Sequence, residues 1–271
     1  MKTLYVTDLD GTLLRSDETL SPFSCKTINE LTQKGMIFSY ATASSLSTAE
    51  KVTDGLFAQM PLIVHNGAFI VDSRTKEKLV RNQFSKSDAK IIYDTLREFD
   101  VCPIVYSIID DREKFSYDTQ AVGRALGEFI ASRKGDGRDN PLSGDGEILR
   151  GDVYYFACIE DEEKLYPAYC RLQKSYNCIY QKDVYSGEQW LEILPEKATK
   201  ANAVMQLKVL YSCDRVVCFG DGINDMPMFS VCDECYAVSN AVDELKAAAT
   251  GIIGGNNEDA VAKWLLENSG F

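Results

Sequence analysis

Histidine and long hydrophobic runs are the scarcest features of this 271-residue sequence. It contains one histidine, His65. Most Ser-His and Cys-His catalytic arrangements are therefore excluded unless His65 serves, whereas a carboxylate nucleophile needs no histidine. No apolar run reaches the ~18 residues of a membrane span. Lys2 is followed at once by a predicted strand and two acids, which is unlike a secretory signal. We therefore expect a cytoplasmic protein with no membrane partner.

Positive charge is also in short supply. The 29 Lys and Arg residues face 41 Asp and Glu residues, which gives a net charge of -12. This surplus argues against nucleic acid and anionic membranes as partners, and it means that a phosphate site needs locally concentrated positive charge. Hydrophobic residues make up 45% of the chain, enough for the core of one large domain or two smaller ones. We expect a monomer or a small homo-oligomer.

The nine cysteines show no doubled metal-binding spacing. Cys232 and Cys235 form a lone Cys-x-x-Cys pair, without a second pair or nearby histidines. We interpret the cysteines mainly as reduced, small hydrophobic residues of a cytoplasmic protein. A zinc or redox role of the pair is the less favoured alternative.

Strand and helix patterns alternate at both ends of the chain. Gly, Pro and capping residues bound these segments, and Ser21 and Thr199 are the expected N-caps of two helices. The expected elements are strands at Leu4–Thr7, Met36–Ala41, Leu62–Val64, Val216–Phe219 and Tyr236–Val238, helices from Pro22 toward Gly35, over about Ser47 to Phe57 and from Thr199 to Leu210, and a hairpin of Phe69–Val71 with Lys78–Val80. This alternation predicts an α/β fold with a parallel sheet and helices on both faces.

The middle of the chain lacks that tight alternation. Its patterns predict a helix over about Asp118 to Ser132, a loop over Lys134 to Gly146 and a strand over Cys178 to Tyr185. We infer an inserted α+β domain at 83–187, between the two parts of a core domain at 1–82 and 188–271. Most of its clustered tyrosines are expected to pack, and one or two to line a substrate pocket.

Polar residues recur where the predicted core strands end. Asp8 and Asp10 follow the first strand, Thr42 follows the second, and Asp221 with Asp225 follows Val216–Phe219. Lys200 opens the helix after another predicted strand. Parallel strands direct their carboxyl ends to one crevice, so these residues are expected to form one site.

The residue types suit phosphoryl chemistry. Asp8 and Asp221 offer the oxygen ligands that Mg²⁺ prefers, and Asp225 lies four residues later. Thr42 offers a hydroxyl to a phosphate oxygen, and Lys200 supplies positive charge. Taken singly, Asp-x-Asp-Gly and Gly-Asp-Gly are ordinary turns, Thr42 a strand-end residue and Lys200 a solvated lysine. Their common place at strand ends favours a functional site.

The motifs resemble those of the haloacid dehalogenase (HAD) superfamily. Asp8-Leu9-Asp10-Gly11-Thr12-Leu13-Leu14 is similar to the first motif, and Gly220-Asp221-Gly222-Ile223-Asn224-Asp225 to the fourth motif of its Cof-type branch. Glu192-Ile193-Leu194-Pro195 leading to Thr199-Lys200 resembles the third-motif region. Asn66-Gly67-Ala68 and Ser239-Asn240-Ala241 also match. The resemblance covers the whole chain, including an inserted cap of the class IIB type.

This resemblance implies a Mg²⁺-dependent phosphatase that acts on small phosphorylated metabolites such as sugar phosphates or phosphorylated cofactors. Asp8 would be the nucleophile and Asp10 the general acid and base. The implied metal ligands are Asp8, the Asp10 carbonyl and Asp221, with Asp225 orienting them. The implied phosphate-binding residues are Thr42, Ala43, Asn66, Lys200 and Asn224. The cap would close over the site and select the leaving group.

One departure from the branch concerns the second motif. The usual Thr-Gly-Arg is Thr42-Ala43-Ser44 here, so a cation near the pocket mouth is missing. Two alternatives stay open: a phosphomutase, which uses the same two acids, and a non-catalytic protein that binds phosphorylated ligands. The presence of Asp10 disfavours dehalogenation.

Overall fold

The computed structural model describes residues 1–56, 61–182 and 187–271. Their contacts divide the chain into two compact units, one of Met1–Arg81 with Ala198–Phe271 and one of Asn82–Lys197. Within the described ranges, no helix combines the length and apolar character that crossing a membrane requires.

The secondary structure follows the chain as strands and helices numbered in order. The strands are β1 (Thr3–Thr7), β2 (Ile37–Tyr40), β3 (Leu62–Val64), β4 (Phe69–Val71), β5 (Lys78–Arg81), β6 (Ile104–Ile109), β7 (Arg112–Asp118), β8 (Asp139–Leu142), β9 (Asp152–Ile159), β10 (Asn177–Lys182), β11 (Gln189–Leu194), β12 (Arg215–Gly220), β13 (Glu234–Val238) and β14 (Gly251–Ile253). The helices are α1 (Pro22–Gln33), α2 (Leu46–Val52), α3 (Lys86–Glu98), α4 (Arg124–Ser132), α5 (Glu162–Leu172), α6 (Lys200–Leu210), α7 (Met226–Phe229), α8 (Asp243–Ala248) and α9 (Ala260–Asn268).

The first unit is built on a parallel sheet of order β14-β13-β12-β1-β2. β1 and β12 are its central strands, and their apolar residues are almost wholly buried because helices cover a doubly wound sheet on both faces. The predicted α/β fold with a parallel sheet and an additional sheet domain is confirmed.

A small antiparallel sheet of order β3-β4-β5 accompanies the parallel one. It contains the predicted hairpin of β4 and β5. Ala41 and Ile63 join it to the end of β2 by an isolated parallel bridge. The expected third strand of the parallel sheet therefore pairs mainly with β4, antiparallel, rather than continuing the main sheet.

The second unit contains a six-stranded sheet of order β10-β11-β9-β6-β7-β8. All neighbours are antiparallel except β7 and β8. Side chains of α3 and α5 share one apolar core with buried residues of β6, β9 and β11. This mixture of helices with a largely antiparallel sheet is the α+β arrangement expected for the middle of the chain.

Three expectations for this unit are wrong in detail. The helix predicted from Asp118 begins only at Arg124, because residues 112–118 form β7 beside β6. The loop predicted over Lys134–Gly146 contains β8, which pairs with β7. Residues 188–197, assigned to the core domain, belong to the second unit, because β11 lies between β10 and β9.

Two predicted segments extend beyond the described residues. The helix expected to reach Phe57 is α2, which ends at Val52, and Phe57 itself lies outside the described ranges. The strand expected to reach Tyr185 is β10, which ends at Lys182, and Tyr185 also lies outside them.

Candidate active site

The nucleophile candidate Asp8 directly follows β1, an interior strand of the parallel sheet between β12 and β2. Its backbone N–H donates to the Phe219 carbonyl at 2.9 Å, so the end of β12 fixes its position. On the other side, the Ala41 N–H donates to the Thr7 carbonyl, also at 2.9 Å. Asp8, the segment after β12 and the segment after β2 therefore leave the sheet side by side, as parallel topology requires.

After Asp8 the chain reverses direction in a six-residue turn, here called the Asp10 turn (Leu9–Leu14). The Leu14 N–H donates back to the Leu9 carbonyl at 2.9 Å. Gly11 has φ of +76°, and a Cβ there would collide with the Asp221 carboxylate. The glycine is thus required both by the left-handed backbone and by the approach of Asp221.

Lys200 joins Asp8 to Asp225. Its Nζ lies 2.5 Å from Asp8 Oδ1 and 2.7 Å from Asp225 Oδ1. All three side chains are buried, with Lys200 2% and Asp225 0% exposed. The lysine is the first residue of α6, which Thr199 caps by accepting the Asn202 N–H. Lys200 therefore reaches the cluster from the first turn of α6, the helix that the sequence predicted to begin here.

Asp225 is held from two sides. Its Oδ2 accepts the backbone N–H groups of Asp221 and Gly222 at 3.0 and 3.1 Å, while its Oδ1 accepts Lys200. Both carboxylate oxygens are therefore engaged. These bonds fix the backbone that carries Asp221, so Asp225 orients its neighbours in the cluster.

Burial dominates the electrostatics of the acids. It raises the pKa of Asp8 well above its usual value, the Lys200 ammonium opposes this, and the carboxylates of Asp225 and Asp221 add to it. Partial burial likewise raises the pKa of Asp10, whose side chain remains in part exposed, and the pKa of Asp221. For Lys200, burial favours a lower pKa, but the Asp225 and Asp8 carboxylates outweigh it and the pKa is raised. One ammonium thus faces several carboxylates.

The acidic cluster fits a hard divalent cation. Oxygen atoms of Asp8, Asp221 and Asp225 lie within 4.8 Å of one another. Oxygen-only donor sets suit Mg²⁺ or Ca²⁺ rather than softer metals. A dication would also supply the positive charge that the cluster lacks and favour its ionised carboxylates. The residues therefore fit a metal-dependent site.

Thr42 and Asn66 form a second part of the site. Thr42 is 0% exposed, and its Oγ1 accepts the Ser44 N–H at 3.0 Å. The Asn66 N–H donates to the Thr42 carbonyl at 2.9 Å. Gly67, with φ of +96°, packs so closely on Thr199 that a Cβ would strike its carbonyl. The Asn66 turn is therefore packed against the residue that precedes Lys200.

The remaining predicted site residues are more exposed or make fewer hydrogen bonds than the buried cluster. Asp10 and Ala43 are exposed, and Asn224 is exposed in a one-turn helix at Ile223–Asp225. Within the described ranges, no hydrogen bond joins Ala43 or Asn224 to the cluster of Asp8, Lys200, Asp221 and Asp225. The Asn66 Oδ1 is buried and, among the same residues, has no hydrogen-bond partner.

Two polar contacts of the site were not predicted from the sequence. Thr12 Oγ1 donates to Asp221 Oδ1 at 3.0 Å, and Asn240 Nδ2 donates to the Gly11 carbonyl at 2.8 Å. Both residues stand inside quoted motifs, but their partners are more than 200 positions away, so only the fold shows the contacts.

The cysteines form no comparable site. All nine are free thiols. Cys232 and Cys235 interact with each other and with Cys218 of β12, and hydrogen bonds from these neighbouring thiols lower the pKa of Cys235. Over residues 1–56, 61–182 and 187–271, no cysteine belongs to a group of three or more side chains placed to hold a metal.

A parallel sheet that gathers an acid pair, a buried lysine and a further acid pair at its carboxyl edge defines a class of hydrolases with a Rossmann-like core. The sequence model of haloacid dehalogenase-like hydrolases matches residues 5–265. The chain belongs to this family, as its motifs indicated.

Curated relatives and solved structures agree with this assignment. The chain is 26% identical to 5-amino-6-(5-phospho-D-ribitylamino)uracil phosphatase YwtE of Bacillus subtilis, covering 98% of this chain and 97% of that protein. It is 23% identical to pyridoxal phosphate phosphatase YbhA of Escherichia coli, covering 96% of each. A haloacid dehalogenase-like hydrolase from Bacteroides thetaiotaomicron shares the fold, with a TM-score of 0.77, 22% identity and coverage of 98% and 99%. The predicted enzyme class, a phosphoric-ester hydrolase of this family, is confirmed.

Proposed function

We propose that the protein is a Mg²⁺-dependent phosphatase that hydrolyses small phosphomonoesters through a phosphorylated Asp8. The observation that carries this proposal is the buried contact of Lys200 with Asp8 and Asp225, beside Asp221. It combines a carboxylate nucleophile, a fixed positive charge and oxygen ligands for a cation in one place. These parts suit phosphoryl transfer, because its catalysis consists mostly of positioning and charge stabilisation.

Asp8 and Asp221, with the Asp10 backbone carbonyl, are the proposed ligands of Mg²⁺. Asp225 is the residue that orients them, because its oxygens already accept Lys200 and two backbone N–H groups. Bound Mg²⁺ would neutralise charge on the phosphoryl group and on the Asp8 carboxylate. The oxygen donor set supports this choice over zinc.

Lys200 and Thr42 are the proposed binding groups of the transferring phosphoryl. Lys200 keeps its proton because its pKa is raised. The Thr42 hydroxyl accepts the Ser44 N–H, which leaves its own hydrogen available for donation to a phosphate oxygen. The Ala43 backbone N–H, the Asn66 amide and the exposed Asn224 amide complete the proposed set. Donors aimed at developing charge are the largest contributors in such sites.

Asp10 is the proposed general acid and base. In the first step an Asp8 oxygen forms a bond to phosphorus, the ester oxygen leaves with the bonding pair, and Asp10 transfers its proton to that oxygen. In the second step Asp10 takes a proton from water, the water oxygen attacks phosphorus, and the bond to Asp8 breaks. Burial raises the pKa of Asp10, which favours the protonated form that the first step needs.

The leaving group is proposed to be a small metabolite. The relatives named as phosphatases of a phosphoribitylamino-uracil and of pyridoxal phosphate support sugar phosphates or phosphorylated cofactors. Ser44 stands where the branch usually has arginine, which favours substrates without a further anionic group near Thr42. The nine free thiols support a reducing, cytoplasmic location.

Hydrolysis of an aryl phosphate by the wild type and by Asp8→Asn, with Mg²⁺ and with chelator, tests the proposal. We expect turnover that requires both Asp8 and the metal. Asp243→Asn is the matched control, because its side chain is almost fully exposed. Substantial activity of Asp8→Asn would contradict the mechanism. A folded wild type that binds phosphorylated ligands without turning them over would indicate the non-catalytic alternative.

A further inference from the structure

Two asparagine side chains from a later part of the chain donate hydrogen bonds to the Asp10 turn (Leu9–Leu14), and neither has a role in the proposed chemistry. Asn240 Nδ2 donates to the Gly11 carbonyl at 2.8 Å, and Asn256 Nδ2 donates to the Leu14 carbonyl at 3.0 Å. Asn256 is only 5% exposed. Asn240 and Asn256 thus satisfy carbonyls at the middle and at the end of a turn that has little regular structure of its own.

The two asparagines are also bonded to each other. The Asn256 N–H donates to Asn240 Oδ1 at 3.0 Å. The Asn240 side chain therefore uses both ends of its amide, with its oxygen fixed by Asn256 and its nitrogen directed at Gly11. An amide held at its oxygen presents its N–H in one direction, which makes the contact with Gly11 a defined one.

The short segment that carries Asn240 contacts the other acidic loop as well. The Val242 N–H donates to the Asp221 carbonyl at 2.9 Å, two residues beyond Asn240. The turn after β13 is therefore hydrogen-bonded both to the Asp10 turn and to the Asp221 backbone. It sets the spacing between the residue proposed to move protons and a proposed metal ligand.

Asp10 needs such support. Its side chain is exposed, and within the described ranges no hydrogen bond holds it. Its direction consequently depends on the Asp10–Gly11 peptide, where Gly11 has φ of +76°. A misplacement of a reacting group by ~1 Å costs about 10²-fold in rate.

We propose that Asn240 is a positioning residue for the reaction: by fixing the Gly11 carbonyl, it directs the Asp10 carboxyl at the leaving oxygen. This inference rests on the proposed phosphatase function. It predicts that loss of the Asn240 bond harms proton transfer to the leaving group more than it harms phosphoryl binding.

Leaving-group chemistry separates these two effects. The nitrophenolate group of an aryl phosphate is stable enough to depart without a proton. The alcohol oxygen of an alkyl phosphate needs the proton of Asp10 in order to depart. We therefore measure kcat and KM for both ester types and the pre-steady-state release of each alcohol, which isolates the first step. A variant that only loosens the fold lowers both rates alike.

Two substitutions separate the bonds of Asn240. Asn240→Ala removes both, whereas Asn240→Asp keeps the acceptor for Asn256 and removes the donor to Gly11. Asn257→Ala is the matched control. Its side chain is hydrogen-bonded to Ser16, beyond the end of the same turn. Asn257 Oδ1 accepts the Ser16 N–H at 3.0 Å, and Asn257 Nδ2 donates to the Ser16 hydroxyl at 2.9 Å.

For both Asn240 variants we expect alkyl ester turnover to fall about tenfold to 10²-fold, with a smaller loss for the aryl ester and little change in KM. Asn257→Ala should keep the wild-type ratio of the two rates. If both Asn240 variants keep that ratio, or if Asn257→Ala lowers it equally, the inference is overturned.

Amide hydrogen exchange of the peptide covering residues 9–15 gives a readout that needs no activity. Asn240→Ala should speed exchange there, and Asn257→Ala should not. Faster exchange in a protein whose wild type hydrolyses neither ester would contradict the phosphatase proposal but not the anchoring of the turn. Unchanged exchange together with unchanged rates in an active enzyme would overturn the positioning role itself.

Discussion

The two units bury polar groups in different ways. In the first unit charged side chains are buried. Lys200 forms ion pairs with Asp8 and Asp225, and all three side chains are almost completely buried. In the second unit, the most deeply buried titratable groups include neutral phenols. Burial raises the pKa of Tyr106, Tyr154 and Tyr155 above the ordinary value of tyrosine.

This difference separates the charged cluster of the first unit from the neutral polar interior of the second unit. Buried charges of one cluster are costly, and their presence at the carboxyl edge of the parallel sheet indicates a site that must stabilise a charged transition state. Neutral phenols and aromatic faces supply hydrogen bonds and stacking surfaces instead. The following substitutions test whether the charges of the first unit carry the reaction while the polar contacts of the second unit carry stability.

Lys200→Met should have the largest effect. It leaves Asp8 and Asp225 buried without their cation, which costs about 3–5 kcal/mol in the free energy of unfolding. Loss of one donor to the phosphoryl group lowers kcat about 10²- to 10³-fold. Chemical denaturation and steady-state kinetics measure both. Lys208→Met on the same helix is the control, because its pair with Asp233 is partly exposed. Equal effects of the two substitutions would contradict the special role of Lys200.

Asp225→Asn should weaken the metal site rather than remove it. An amide has a single acceptor oxygen, so its NH2 group must face either the N–H groups of Asp221 and Gly222 or the Lys200 ammonium, and one of these contacts is lost. We expect the Mg²⁺ concentration for half-maximal activity to rise about 10- to 100-fold. A metal titration of activity measures this, with Asp243→Asn as the control. An unchanged titration curve would show that Asp225 does not orient the ligands.

Tyr155→Phe should lower stability without harming chemistry. The Tyr155 hydroxyl donates to Glu192, an acid whose pKa burial raises and this bond lowers. Without the donor, the carboxyl group keeps its desolvation cost, which is about 1–3 kcal/mol. Urea unfolding should show this loss, while aryl phosphate turnover stays at the wild-type level. Tyr166→Phe is the control, because Tyr166 is 53% exposed. A large fall in kcat would instead place this pair at the substrate.

The smallest effect concerns acid stability of the second unit. The side-chain bonds from Arg138 hold the pKa of Asp136 at about 2, below its ordinary 3.8. The unfolded chain therefore binds more protons between these values, and the stabilisation, present above pH ~4, is lost as the pH falls toward 2. Asp136→Asn should flatten this part of the stability profile. An identical profile in the variant would contradict the assignment.

The sequence was most informative about residues that follow the ends of the parallel strands and about residues that cap helices. Asp8, Asp221 and Asp225 were predicted to share a site because parallel strands share a carboxyl edge, and the structure places their oxygens together. Ser21 and Thr199 were predicted to cap helices, and both accept the expected backbone N–H. These features depend on local sequence and on one topological rule.

Pairing between distant strands was not predictable in the same way. β7 carries Arg112, Glu113 and Lys114 at its start, and its apolar residues become buried only beside β6 and β8. β11 follows a predicted strand of the middle region and precedes the core helix α6. Its alternating residues therefore suit either unit. Only its pairing with β9 and β10 shows that it belongs to the second unit. The contact of Asn240 with Gly11 spans 229 positions and leaves no local signal.

The contact between Lys200 and Asp8 spans 192 positions along the chain. As the polypeptide is synthesised, Asp8 and Asp10 emerge early, and the entire inserted unit is made before the lysine exists. Until then Asp8 lacks its counter-charge and cannot be buried at low cost. Assembly of the reactive centre is therefore a late event of biogenesis. In a nascent or truncated chain that stops before α6, Asp8 has no Lys200 to pair with.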